Sequence, residues 1–169
     1  PEIALAVEKV SQQVMTTVTA VSSAIEGAGG SAAAAFEMAL ETVVEVVKEK
    51  TEAVKADPTA VIEVDFSNVE EIQAVTEKVA AKIEDQGIAS KEAFEAVEAD
   101  LSAAVVNVNA KIEAVTDLTS DDAQAAFAVS SELKTQVKAA TETGGVDPAV
   151  KITFTDVPEL EKVTEEKKD

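Results

Sequence analysis

The stretch Val61-Ile62-Glu63-Val64-Asp65-Phe66 sets apolar residues at every second position, and Val150-Lys151-Ile152-Thr153-Phe154 does the same later in the chain. Alternation of period two puts the apolar side chains on one face of an extended segment, so both stretches read as half-buried β-strands. The likeness continues beyond them at a constant offset of 88 positions: Phe66 with Phe154, Val69 with Val157, Glu71 with Glu159, and Val75-Thr76-Glu77 with Val163-Thr164-Glu165. Such self-similarity marks an internal duplication.

Upstream of the first strand, Ile3, Val7, Val10, Val14, Val18, Val21 and Ile25 recur every three or four residues, which predicts an amphipathic helix over Pro1 to Glu26. Its many Thr and Val residues lower intrinsic helix propensity, so packing must hold it. Gly27, Gly29 and Gly30 stop it, Ser31 is placed to cap a second helix, and Phe36, Leu40, Val43, Val47 and Val54 form the apolar stripe of that helix. Asp57-Pro58 ends the second helix ahead of the strand.

After Phe66, Ser67 or Asn68 can cap a third helix that presents Val69, Ile72, Val75 or Thr76, Val79 and Ile83 inward and stops near Gly87. Ser90 caps a fourth, with Phe94, Val97, Leu101, Ala104, Val108, Ile112 and Val115 on its inner face. Thr119 or Ser120 caps a fifth, carrying Ala126, Phe127, Leu133, Val137 and Ala140. Gly144-Gly145 and Asp147-Pro148 then lead to the second strand and a last short helix from Pro158 through Val163.

Ala34-Ala35-Phe36 recurs as Ala125-Ala126-Phe127, and Ala6-Val7-Glu8 as Ala96-Val97-Glu98. The expected fold is therefore α+β and mostly α-helical: two tandem copies of a helix-helix-strand-helix unit, at 1–90 and 91–169, whose short strands form a small sheet. All five Phe residues (Phe36, Phe66, Phe94, Phe127 and Phe154) are expected in the core.

Thirty-three Asp and Glu against fourteen Lys give a formal charge of -19, which repels phosphate backbones and anionic lipid. Nucleic acid and membranes are excluded as partners on this ground. Cys, His, Trp, Tyr and Arg are absent, which removes thiol chemistry, imidazole metal sites and most catalytic side chains. The chain starts at Pro1 and reads as a processed chain or an excerpt, and no apolar run is long enough to span a bilayer.

Carboxylates at Glu63, Asp65, Glu70 and Glu71 resemble calcium ligands in type, but no calcium-loop spacing is present, and weak non-specific divalent binding is all they suggest. Asp117, Asp121 and Asp122 read as helix-start chemistry. Gly27-Ala28-Gly29-Gly30-Ser31 lacks both the Walker and the dinucleotide spacing and reads as a linker. No catalytic, cofactor-binding or metal site is expected, and no cofactor.

The strands carry the functional expectation. Two strands of about five residues bury too little to stand alone, and an open edge recruits another chain. Ile62, Val64, Phe66, Val150, Ile152 and Phe154 are thus the candidate self-assembly residues, with the chain itself as the partner in a head-to-tail homopolymer.

A duplicated chain rich in Ala, Val, Thr, Ser and Glu, without catalytic groups, resembles secreted fibre-forming structural proteins of the silk or byssus kind. The resemblance rests on composition and duplication over the whole chain and implies an extracellular, non-enzymatic filament or fibre protein. It departs from low-complexity silks in lacking long poly-Ala or Gly-rich blocks, which favours fibres of folded subunits. A monomeric helical module binding a protein or apolar ligand, and a designed repeat protein, are the alternatives.

Overall fold

The structure, a computed structural model, describes residues 2–56, 64–147, 149 and 152. Among these are six helices: α1 Glu2–Gly27, α2 Ala32–Ala56, α3 Val69–Gln86, α4 Lys91–Glu95, α5 Glu98–Glu113 and α6 Asp121–Glu142. The termini follow local chemistry. Ser31, Ser90 and Ser120 each accept a hydrogen bond on Oγ from the amide three residues on, and Asn68 Oδ1 accepts from Glu70 N. At the end of α1, Gly30 N donates to Ile25 O and Gly29 N to Glu26 O, both at 2.9 Å, with Gly29 at φ 105°. Gly145 and Gly144 close α6 in the same way on Ala140 O and Thr141 O. The nested pair of bonds requires the left-handed residue that glycine supplies.

Side-chain pairs fix the helix directions. Gln13 of α1 meets Asn109 of α5, and Lys9 meets Glu113, so α1 and α5 are antiparallel. Thr16 meets Ser130 and Glu26 meets Lys138, so α6 runs with α1. Glu45 pairs with Lys82 and Lys50 with Glu71, which makes α2 and α3 antiparallel. Helices α1, α2, α3 and α5 accordingly form an antiparallel four-helix ring. α6 lies outside it, over α1 and α5. Helices from both 1–90 and 91–169 contribute to one core.

The second half of α1 is enclosed by this arrangement. From Thr16 to Ile25 every residue but Thr19 is buried. Helices approach closely there, and a Cβ added to Gly27 would lie 2.5 Å from Lys138 O and 2.7 Å from Thr141 Cβ. Burying Thr and Ser is tolerable because their hydroxyls bond back into the helix: Thr17 Oγ1 donates to Gln13 O at 2.8 Å, Ser23 Oγ to Thr19 O at 2.8 Å, and Thr141 Oγ1 to Val137 O at 2.7 Å.

One buried amide joins α1, α5 and the loop before α3. Asn109 Nδ2 donates to Phe66 O at 2.8 Å and to Thr17 Oγ1 at 3.1 Å. Its orientation follows from its neighbours, since Phe66 O can only accept and the Thr17 proton is already given to Gln13 O.

No strand occurs among the described residues, which corrects the α+β expectation: the described protein is all-helical. Ile62, Val150 and Phe154 lie outside the described residues, as do Val61 and the expected last helix at 158–163. Val64, Phe66 and Ile152 are described, and none is in a ladder. Phe66 sits in a turn closed by Asn68 N donating to Asp65 O at 3.0 Å, with Asp65 Oδ1 accepting from Ser67 N at 2.9 Å. Phe66 and Ile152 are core residues and Val64 packs against the core. Alternation reports one-sided burial, and a loop crossing the end of a helical core shows it as readily as a paired strand.

Two further expectations change. The fourth helix breaks into α4 and α5 at Ala96-Val97, although no Gly or Pro stands there. Ser90 N is tied to Ala28 O at 2.8 Å, and the Ala96 carbonyl abuts Gly145. α4 therefore follows the top of the bundle while α5 follows α1. Phe36 is half-exposed, because the core face of α2 is Ala35, Met38, Ala39, Val43 and Val46. Phe127 is only partly buried.

Gly27→Ala should destabilise the fold by about 1–3 kcal/mol despite its better helix propensity, because backbone must move to admit the methyl. Urea unfolding measures it, and a variant as stable as the parent would refute the close α1–α6 approach. Asn109→Ala should also cost about 1–3 kcal/mol, since it strands the buried Phe66 carbonyl.

Candidate functional site: apolar helix faces on an acidic surface

Residues 3–25 of α1 contain only two charges, Glu8 and Lys9, which cancel. Its apolar stripe is continuous in sequence but divided in space. Val18, Val21 and Ile25 are fully buried, whereas Ile3, Val7 and Val10 are 81%, 60% and 52% exposed. Ala4, Ala6 and Ser11 beside them are exposed too, so no long charged side chain guards the row. Lys9 turns away to α5, donating to Glu113 O at 2.6 Å, and Glu8 accepts from Gln12 Nε2 at 2.9 Å.

A second apolar row lies on α2, where Phe36, Leu40 and Val44 are 41%, 39% and 56% exposed. Each follows a core residue, Ala35, Ala39 or Val43, by one position, and so stands about 100° round the helix from the core face. The smaller residues occupy the contact and the larger ones are left outside. Sequence reasoning that assigned the largest side chains to the core missed this row.

Several charged groups elsewhere are engaged with one another. Lys78 bridges Glu45 at 3.4 Å and Glu49 at 2.9 Å, Lys82 bridges Glu45 at 2.9 Å, and Lys50 pairs with the buried Glu71, which together latch α2 to α3. Lys91 pairs with Glu84. The ammonium of Lys82, hydrogen-bonded to Glu45, holds that carboxyl below its usual range, and Lys91 does the same to Glu84. Asp117 is lowered by the amide and hydroxyl of Thr119. Reciprocally, Lys78 is raised by Glu49 and Lys91 by Glu84.

Of the other candidate groups, Glu63 lies outside the described residues. Glu70 opens α3, and Asp121 and Asp122 open α6. No cluster of three or more acidic side chains suited to a metal ion occurs among the described residues. In the Gly27–Ser31 turn the amides of Ala28, Gly29 and Gly30 are spent on α1 carbonyls. Shallow clefts of about 220 and 560 Å³ follow the α1–α6 seam and share Lys134, and one of about 310 Å³ lies between Glu77, Glu95 and Glu98. No helix among the described residues is long and apolar enough to cross a membrane.

Sequence reasoning also missed Asn109. Its signal was present, since an amide beside the core positions Val105, Val108 and Ile112 is a costly residue to bury without partners. No protein-family model, curated protein or solved structure matches the chain.

The lowered carboxylates fix a pH dependence. A folded-state pKa below the unfolded one contributes stability at neutral pH that is lost as pH falls below the ordinary value of 4.5 for Glu45 and Glu84 and on through the folded value. The melting temperature should be level from pH 7 to 5 and fall below about pH 4.5. Glu45→Gln should reduce the acid-induced fall, and an unchanged profile would show that the α2–α3 latch does not contribute.

Proposed function

We propose that this chain is a non-enzymatic structural protein that self-associates into filaments or fibres through exposed faces of its helices. The observation that carries the reading is the pair of exposed apolar rows, Ile3-Val7-Val10 on α1 and Phe36-Leu40-Val44 on α2, on a chain of charge -19. Contiguous exposed apolar rows mark interaction surfaces. Two separate rows let one chain touch two neighbours, the least that an open polymer needs.

Strand pairing has no part in this, and the contacts are helix against helix. The absence of Cys, His, Tyr and Arg supports a non-enzymatic role. The extracellular setting belongs to the same proposal and is supported by the resemblance to fibre proteins in composition and in the duplication of 1–90 in 91–169. The chain itself is the proposed partner, to the exclusion of nucleic acid and membrane.

Association works against the repulsion of like net charges and should strengthen as that charge is neutralised toward the sequence pI of about 4.2 or screened by salt. Light scattering and sedimentation at high protein concentration should show growing assemblies between pH 7 and 5, above the range in which the fold weakens. Scattering that stays flat with both pH and salt, together with a monomer at the highest concentration reached, would sink the proposal in favour of a monomeric binding module.

A further inference from the structure

We infer that α6 is an exchangeable arm, which leaves its own chain and seats on α1 and α5 of a second copy, so that copies link head to tail; the inference rests on the self-association proposed above and adds a link along the polymer to the contacts of the apolar rows. Its first support is the order of the elements. The antiparallel ring of α1, α2, α3 and α5 is complete by Glu113, and α6 lies outside it, against α1, α4 and α5. Residues 114–120 join the two parts, and among them only Val115 is buried. The turn within this connection is held by local bonds: Asp117 Oδ1 accepts from Thr119 N at 2.9 Å, and Asp117 O accepts from Ser120 N at 3.1 Å. Neither bond ties the turn to the ring, so both survive when α6 swings away, and an exposed connection of this kind serves as a hinge for exchange.

The seam itself supplies the second support. Thr16, Thr19, Ser23, Glu26 and Gly27 form the α1 side of it, whereas the apolar Val18, Val21 and Ile25 stand on the other side of the same helix by its 3.6-residue period. The two clefts of about 220 and 560 Å³ that follow the seam are lined largely by polar side chains. Opening the seam therefore uncovers small and polar groups on α1 that water can solvate, at a lower cost than opening an apolar interface.

The structure also fixes what refills the seat. The α6 of a second copy carries the same Ala126, Val129, Leu133 and Val137 that are buried in it, and the same Ser130 and Lys138 that meet Thr16 and Glu26. An exchanged arm restores every contact given up, so no additional interface area has to be found. What remains is the repulsion between two copies of charge -19, which falls with acid or salt. One arm and one seat per chain, engaging different neighbours, make a heterologous contact that extends into an open polymer unless it closes into a ring.

The chain has no Cys, and Thr16 Oγ1 lies 3.0 Å from Ser130 Oγ across the seam, within reach of a disulfide between these positions. Thr16→Cys with Ser130→Cys, oxidised as a dilute monomer, ties α6 to its own chain. That locked form should stay monomeric under the conditions of concentration and salt in which the same variant, kept reduced, assembles. An equimolar mixture of the two single variants, assembled with salt and then oxidised, should give the mixed disulfide between chains in excess over both homodimers, because Thr16 is buried and is reached only by the residue seated on it. The mixture carries each substitution singly and so decides the question even where the double variant folds poorly. A locked form that assembles as readily as the reduced one, or assemblies of the single variants without the mixed disulfide, overturns this inference and leaves self-association standing. A parent chain that remains monomeric throughout overturns both.

Discussion

The enclosure of α1 between Thr16 and Ile25 is the constraint on which the rest of the structure depends. A helix covered by α2, α5 and α6 leaves little room between axes, so its contacts must be small. Small residues with some polarity are buried safely only if each hydroxyl has a partner. The i−4 carbonyl provides one without a second helix, at Thr17 and Ser23 in α1, Thr42 in α2 and Thr141 in α6. The Thr- and Ser-rich composition that weakens isolated helices is thereby suited to close packing. Gly27 is the limiting case, where the neighbouring backbone occupies the space a side chain needs.

From this packing follows the division of labour among the polar groups. Inside, Asn109 ties the α1–α5 seam to the Phe66 carbonyl and so fixes where the chain enters α3. Outside, lysines pin α2 to α3 and Lys138 pins α6 to Glu26. Exposed pairs of this kind are individually weak, and the directional work falls to the buried amide and to the caps. The chain as a whole is strongly acidic, whereas the exposed half of α1 is neutral and apolar.

Helix ends were legible because their causes are local. A serine side chain reaches an amide three residues away, and glycine admits the left-handed turn at Gly29, Gly87 and Gly144, whatever the rest of the molecule does. The inner faces of α3 and α5 were legible for a similar reason, since a helix with one buried face needs its apolar residues on that face; Val69, expected to face inward, is instead exposed in the first turn of α3. α1 and α2 broke the rule. α1 is buried on all sides along one half and exposed along the other, which no single stripe can encode. α2 turns small residues inward and leaves Phe36 and Leu40 outside, because the closeness of its neighbour decides which size fits.

The sequence by itself determined the helices' existence, their caps and stops, the excess of negative charge and the short supply of catalytic groups, all of which depend on residues within a few positions of one another or on simple sums. Only the tertiary structure decided that Phe66 and Ile152 are plugs in a helical core and not strand residues, because extended alternation records which side is covered and not what covers it. It alone broke the fourth helix at Ala96-Val97, where Gly145 comes from 49 positions away. It also decided that the apolar row of α1 is core after Thr16 and surface before Ser11, since the helices packed against it determine how far along its length it is covered.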